Sequence, residues 1–578
     1  MNICSISHRN VLTDCYALSS DELVINLRTG KDVTAVTIFH NDPFAGGCMG
    51  VKPWDGIPAP MEKSLELEHH QIWTIHTKPR YKREQYYFSI TDGKEIRLLF
   101  EDGFYTEENA WLPGRVPQYF KHPWINPADV CTPPDWVKDT IWYQIMPDRF
   151  CKGGDHKKRM PLKDWNDTET IRFDDFYGGD LPGITKKLGY LKELGITGIY
   201  MTPIFLSDSN HKYNTFDYEQ IDPDFGTEAD MLELVETAHK LGIRIMVDAV
   251  FNHSGLLFGP WQDVERNGRN SQFFDWFFVN EAPLPDTFDN TEDGRYFSFA
   301  FERYMPKLNT NNPAVADYLI GRCRHWVENW GVDGIRFDVG NEVSHWFLKR
   351  LNRNLKALKP DLFLLGEIWG DSIQWVLGDE YDSVMNYSFI HSLNNFWIDK
   401  EQDSRDFMYA MNRCASLYPE QVAPVLFNFL DTHDTPRAIH RFGSEDIIFQ
   451  QLVTLLTMPG TPCLYYGTEI LLEGGNDPDN RRPMPWDRVE NGSCDQTMEQ
   501  VQALIRLRKE YRELRGSQIR WRHDPEYPRF VCFERGTLQI CLNAGTSVVP
   551  AEEENMLFSR GLENGKLLPG GCCIRSLI

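Results

Sequence analysis

The sequence predicts an α/β protein, a (β/α)8 TIM barrel with an inserted subdomain after strand 3, an N-terminal β-sandwich domain and a small C-terminal β domain. From residue 140 onward, eight apolar runs of strand length are separated by amphipathic stretches of helix length, the grammar of a closed parallel sheet. Before residue 126 and after residue 512 that alternation gives way to short runs of period two, as antiparallel sheets require. With 578 residues the chain exceeds what one core supports, so several domains are expected.

Residues 1–125 contain DELVINLRT, DVTAVTIFH, HQIWTIHTK, QYYFSITDG and KEIRLLFED, whose alternation predicts a sandwich. The proline-rich stretch HPWINPADVCTPPDW (122–136) reads as a linker into a barrel domain over 126–512. The barrel strands are predicted at 140–148, 197–204, 244–251, 334–339, 362–368, 382–387, 424–431 and 462–469. Helices fall between and after them, as in GITKKLGYLKELG (183–195), AVADYLIGRCRHWVENW (314–330) and QVQALIRLRKEYREL (500–514). The interval 254–312 is far longer than an ordinary strand-to-helix loop and predicts an inserted subdomain. The tail, 513–578, returns to short alternating runs such as RFVCFER and TLQICLN.

A net charge of −24 argues against a nucleic-acid or anionic-membrane partner, either of which favours a basic face. The 13 cysteines are scattered and form no CxxC pair, which reads as free thiols in a reducing compartment. No signal-peptide core and no bilayer-length apolar run is visible, so a cytoplasmic location without a membrane partner is expected. Aromatic residues make up 13% of the chain; aromatics in excess of core needs often stack on sugar rings, although core filling is their commoner use.

Barrel active sites lie where the strands end. Asp248, Asn252 and His253 follow the third run, Arg336 and Asp338 end the fourth, Glu367 the fifth, and His433 and Asp434 the seventh. One such Asp is usually a helix cap and one such His a structural residue. Acids, an arginine and two histidines converging on one rim instead mark a site. Three acids suit cleavage of a glycosidic bond: one carboxylate attacks, one carboxylic acid protonates the leaving oxygen, and further negative charge favours an oxocarbenium-like transition state. Arg336 lies two residues before Asp338 on one strand, hence on its face, and is expected to keep that carboxylate ionised. Glu367 follows Leu364–Leu365 and precedes Trp369, so apolar surroundings holding its proton are expected.

The motifs DAVFNH (248–253), GIRFDVGNEVSH (334–345), GEIW (366–369) and FLDTHDTPR (429–437) resemble the ordered regions of the α-amylase family, glycoside hydrolase family 13. MPKLN (305–309) resembles the extra region that sets the cyclomaltodextrinase, neopullulanase and maltogenic amylase group apart, and YQIMPDRF (143–150), NHKYNTFDY (210–218) and GGNDPDNRRPMPW (474–486) are additional matches. The resemblance implies Asp338 as nucleophile, Glu367 as acid/base and Asp434 as transition-state stabiliser. It implies that His253 and His433 bind hydroxyls of the cleaved sugar and that Tyr213 stacks on its ring. Asp477 and Arg481 would grip the next sugar on the non-reducing side, with Asn341, Glu342 and Trp369 toward the leaving group.

It further implies a retaining hydrolase of cyclodextrins, maltooligosaccharides and pullulan with some transglycosylation, and a homodimer whose partner amino-terminal domain narrows the cleft. An α-glucosidase or oligo-1,6-glucosidase, and a non-catalytic carbohydrate binder, are the competing readings. MPKLN and the front sandwich weigh against the first, the presence of all three acids against the second. The chain departs from the group in three places. The loop after DRF, where the group often holds calcium, reads CKGGDHKKRM (151–160), and its cations predict no tightly bound calcium, with Asp155, Gly179 and Asp180 as partial ligands at most. Asn214 stands for an aspartate, and Gly370 for a histidine, which predicts a roomier leaving-group side.

Overall fold

The computed structural model describes residues 1–47, 54–155, 157–282, 284 and 289–578. It divides into two compact units, Met1–Thr132 with Asp371–Gly378 and Lys400–Ala423, and Pro133–Gly370 with Asp379–Asp399 and Pro424–Ile578.

The second unit is built on eight parallel strands: β1 (Trp142–Ile145), β2 (Gly198–Met201), β3 (Arg244–Ala249), β4 (Gly334–Phe337), β5 (Phe363–Gly366), β6 (Ser383–Val384), β7 (Phe427–Phe429) and β8 (Thr461–Tyr465). They pair in the order β6-β5-β4-β3-β2-β1-β8-β7. The ring closes through the Met385–Phe427 bridge, and the Asn386 amide donates to the Phe427 carbonyl at 2.9 Å. Nearly every strand residue is buried, because helices cover one side and the packed barrel interior the other. The strands are shorter than the apolar runs that announce them. The ladder persists just past β4 and β5, where the amides of Asp338 and Glu367 donate to Ala249 and Phe337 carbonyls at 3.1 and 3.0 Å. Beyond that the chain turns away, which presents these two side chains at the barrel rim.

Local chemistry sets the intervening helices. Helix Glu228–Lys240 starts at a reciprocal Thr227–Asp230 capping box. The stretch 183–195, expected as one helix, is two, Leu181–Lys186 and Leu188–Leu194, separated at Lys187. A hairpin after β2, Phe205–Leu206 with Asp217–Ile221, has no counterpart among the predicted elements, and its tip carries residues 210–213. The insertion after β3 contains helix Gly259–Asn267, whose buried Trp261 packs on Phe277 and Tyr296. It returns to the rim through antiparallel bridges His253–Lys307 and Phe277–Leu308. The unit ends in an antiparallel sheet built around Phe530–Arg535, Leu538–Asn543 and Lys566–Ser576.

The first unit is two antiparallel sheets around a core that includes Leu23, Ile25, Ile38, Tyr86, Phe88 and Ile90. Helix Ser404–Ser416 joins it, with Asn412 Nδ2 donating to the Glu66 carbonyl at 2.8 Å. Among the described residues no helix is long and apolar enough to cross a membrane. The twelve described cysteines are free thiols, and Cys48 lies outside the described residues.

Candidate active site

The rim is organised around one cation. Arg336, fully buried on β4, sits beside its register partner Asp248 on β3. Its Nη1 donates to both carboxylate oxygens of Asp248 and to Asp338 Oδ1, each at 2.9 Å. Its Nη2 lies 2.8 Å from Glu367 Oε2. Tyr200 and Tyr213 donate to Asp248 Oδ2 at 2.6 and 3.0 Å, completing a buried shell of donors around that carboxylate. One guanidinium therefore bridges Asp338 and Glu367, which its planar fork suits better than an ammonium would.

Glu367 does not have the apolar surroundings expected from Leu364 and Leu365. Those side chains are buried in the barrel, while the carboxylate meets Arg336, the Val339 amide at 3.0 Å, and Trp369 Nε1 and Tyr387 Oη at 3.3 Å each. Leu364 points to the opposite face and Leu365 lies one pleat deeper in the barrel, so the groups that meet a carboxylate just past the strand end come from other segments. Val339 holds its amide toward Glu367 from a left-handed conformation, φ 45°, an unusual strain for a β-branched residue and of the kind that clusters at functional sites. Gly366 has no room for a side chain, since a Cβ would stand 2.5 Å from the Tyr381 ring.

Across the cavity, His433 accepts from Gln144 Nε2 at Nδ1, 2.6 Å, which leaves its proton on Nε2 facing Tyr213 Oη at 2.7 Å and Asp434 Oδ2 at 3.2 Å. Its ring lies parallel to that of Tyr213, centroids 5.3 Å apart. Arg481 Nη2 reaches Asp434 at 3.4 Å and Asp477 at 3.0 Å, and its Nε donates to the His433 carbonyl. His253 is covered by Phe299, 5.2 Å between centroids, and its Nε2 has no partner among the described residues.

Burial pushes the Asp338 carboxyl well above the usual range. Arg336 opposes this, and Glu367, Asp248 and Asp434 push it further. Asp434 is raised by burial against the pull of Arg481 and Arg336. Burial lowers His253 to about 3, helped by Lys307, and takes His433 well below its usual value, helped by Arg481 and Arg336. Both histidines are thus neutral near pH 7. The arrangement holds crowded carboxylates, a shared cation and neutral hydrogen-bonding imidazoles around one cavity, a constellation for acid/base and nucleophilic work on a neutral substrate.

That cavity, about 460 Å³, is lined by Asp338, Glu367, Asp434, Tyr213, His253, His433, Asn341, Trp369, Asp477 and Arg481. Arg336 lies behind the wall, and Glu342 outside it is exposed. Phe173, His211, Phe299, Met305 and Val339 also line it and were not singled out from sequence as its wall. Tyr387, which touches Glu367 and stacks on Trp369 with centroids 3.7 Å apart, was missed as well. Its signal was available: DSVMNY ends a barrel strand on polar residues, as the other rim runs do.

The loop after β1 does not fit a calcium ion. Lys158 Nζ stands 3.0 Å from Asp180 Oδ2 and donates to the Asp224 carbonyl at 2.6 Å. Arg159 pairs with Asp222 at 2.6 Å and with Asp224 at 3.0 Å. The amides of Gly153, Gly154 and Gly183 take up Asp180 Oδ1. The oxygens a hard dication requires are already neutralised by side-chain cations. No group of three or more His, Cys, Asp or Glu among the described residues is placed to hold a metal.

The family described as alpha amylase, catalytic domain, matches residues 144–526, and that of the alpha amylase N-terminal ig-like domain matches 1–126. The chain is 42% identical over 509 residues to a maltogenic alpha-amylase of Bacillus acidopullulyticus, covering 88% of this chain and 84% of that protein. It is 41% identical over 519 residues to a cyclomaltodextrinase of Geobacillus thermopakistaniensis, covering 89% and 86%. A solved cyclomaltodextrinase structure superposes with a TM-score of 0.89 at 34% identity, covering both chains completely.

Proposed function

The chain belongs to the α-amylase family and is a glycoside hydrolase, and from that premise we propose that it cleaves α-1,4-glucosidic bonds in cyclodextrins and maltooligosaccharides, and bonds in pullulan, with retention of configuration. The observation that carries the mechanism is the single Arg336 guanidinium bridging Asp338 and Glu367 on the wall of one cavity. Such bridging supports the close carboxyl separation of retaining enzymes, about 5–5.5 Å, over the wider spacing that admits an attacking water.

Asp338 attacks the anomeric carbon while Glu367 gives its proton to the leaving oxygen. The glycosyl ester on Asp338 is then opened by water, whose proton passes to Glu367. Asp434 bears on the oxocarbenium-like charge, held in place by Arg481 and His433. His253, neutral and with a spare Nε2, hydrogen-bonds a sugar hydroxyl. His433, already partnered at both nitrogens, mainly orients Tyr213 as a stacking face. Asp477 and Arg481 hold the neighbouring sugar, and Asn341, Glu342 and Trp369 the leaving-group side. Because Asp338 must be ionised and its pKa is raised, activity is lost as pH falls through a range above that of an ordinary carboxylate.

Trapping the enzyme with a fluorinated glucosyl donor and mapping the labelled peptide tests the scheme: label on Asp338 is expected, and label elsewhere refutes it. Asp338→Asn, folded, is expected to lose at least about 10³-fold in kcat. A product profile on β-cyclodextrin, pullulan and starch tests the substrate class, since fast starch digestion to long products contradicts it. We further propose a homodimer in the cytoplasm, supported by exposed Trp111 and Val116 on the sandwich unit and by free thiols. Light scattering at a mass of one chain would refute the dimer.

A further inference from the structure

Lys307 stands outside the cavity wall, yet it ties together two segments that form that wall. Residues 305–309 run antiparallel to the end of β3: the Ser254 amide donates to Pro306 and the Leu308 amide to Asn252, each at 3.0 Å. Within this short ladder Lys307 faces His253, and Met305, two residues earlier, lines the cavity. The ammonium donates to Asn252 Oδ1, to the Glu342 carbonyl at 3.2 Å and to Glu342 Oε2 at 3.0 Å. Both the main chain and the side chain of Glu342 are therefore held by one cation whose own side chain is 19% exposed.

The held segment is the short turn Gly340–Glu342, entered through the strained Val339. Val339 donates its amide to Glu367, and Asn341 lines the cavity beside it. A turn that begins under strain needs an anchor at its far end to keep one geometry. Lys307 supplies that anchor, with three acceptors around one ammonium. Its charge also helps keep His253 neutral, so the histidine stays a hydrogen-bonding partner rather than a second cation.

We propose that Lys307 is a positioning residue for the acceptor sugar, clamping Glu342 and the Asn341 turn so that a carbohydrate hydroxyl competes with water for the glycosyl enzyme. This rests on the reading of Asp338 as the nucleophile. In transfer, the acceptor hydroxyl oxygen bonds to the anomeric carbon, the bond from that carbon to the Asp338 oxygen breaks, and its electron pair returns to the carboxylate. The hydroxyl proton goes to Glu367. Water follows the same course without needing the clamped turn, so Lys307 bears on the partition between the two.

The test measures transfer and hydrolysis products from maltotriose, with and without added glucose, for the wild type, Lys307→Met, Glu342→Gln and the double variant. Each single variant is expected to lower the transfer-to-hydrolysis ratio roughly three- to fivefold, the range of a partly exposed ion pair. The double variant is expected to fall no further than Lys307→Met alone, because Glu342→Gln weakens only one of the three contacts that Lys307→Met removes. Lys307→Gln, which keeps a donor, is expected to restore part of the ratio and serves where the methionine variant folds poorly. A purely structural role lowers both products together; an unchanged ratio in both Lys307 variants overturns the proposal, as does a double variant whose loss is the product of the single losses. A wild type that cleaves no α-glucan overturns the nucleophile reading and this inference together.

Discussion

Arg336→Lys separates the charge of Arg336 from its shape. The guanidinium spans Glu367 on one nitrogen, at 2.8 Å, and Asp248 and Asp338 on the other, at 2.9 Å. Lysine keeps the cation, so it avoids the roughly 3–5 kcal/mol cost of leaving buried acids uncompensated. It cannot occupy both ends of the fork. Losing one charge-assisted contact costs about 1.5–3 kcal/mol, and at about 1.4 kcal/mol per decade kcat/KM falls roughly 10- to 150-fold. The acid limb of the pH profile is expected to move by less than about one unit, because the charge beside Asp338 is retained. The assay is kcat/KM on β-cyclodextrin from pH 4 to 9, with thermal melts to confirm folding. A folded variant within threefold of the wild type would refute the claim that one fork sets the geometry of both acids.

Acid is expected to destabilise the fold through its buried histidines. His253 titrates near 3 and His8 near 4, both lowered chiefly by burial from 6.5. Between those values and 6.5 the unfolded chain binds more protons than the native one, so stability rises with pH through this window and is lost as pH falls through it from 6.5. At pH 5 each costs at most about 2 kcal/mol, and urea melts at pH 7 and 5 showing equal midpoints would contradict this. Lys158→Met, which leaves Asp180 without its cation, is expected to cost about 1–3 kcal/mol, while a chelator should leave the wild-type melt unmoved; a chelator-induced drop restored by calcium would refute the built-in cation. Gly370 has φ 107° and open space where a Cβ would stand, so Gly370→Ala is expected to cost about 1–2 kcal/mol in backbone strain alone. Gly370→His, at that same cost, is expected to change the ratio of α-1,4 to α-1,6 cleavage, and an unchanged ratio would discard the roomier leaving-group side.

Much of this was legible in the chain itself. Buried parallel strands must be continuous apolar runs, and the rim residues must follow them, so GIRFDV, LLGEIWG and FLDTHD announced both the barrel and its acids. Local chemistry with a short range, such as strand periodicity and capping, survives in one dimension. The environments of the acids do not. Glu367 read as apolar beside its leucines, yet in space it meets a guanidinium from β4 and an amide from a strained valine. His433 reads from its motif as a sugar-binding residue, but that Gln144, 289 positions away, takes up its Nδ1 and so sets its tautomer came only with the fold. The cations of CKGGDHKKRM were visible in sequence, but that Lys158 lands on Asp180 and Arg159 on Asp222 came only with the fold. Electrostatic and hydrogen-bond partners are chosen by proximity after the barrel closes, whereas strand identity is chosen before it, by which side chains must leave water.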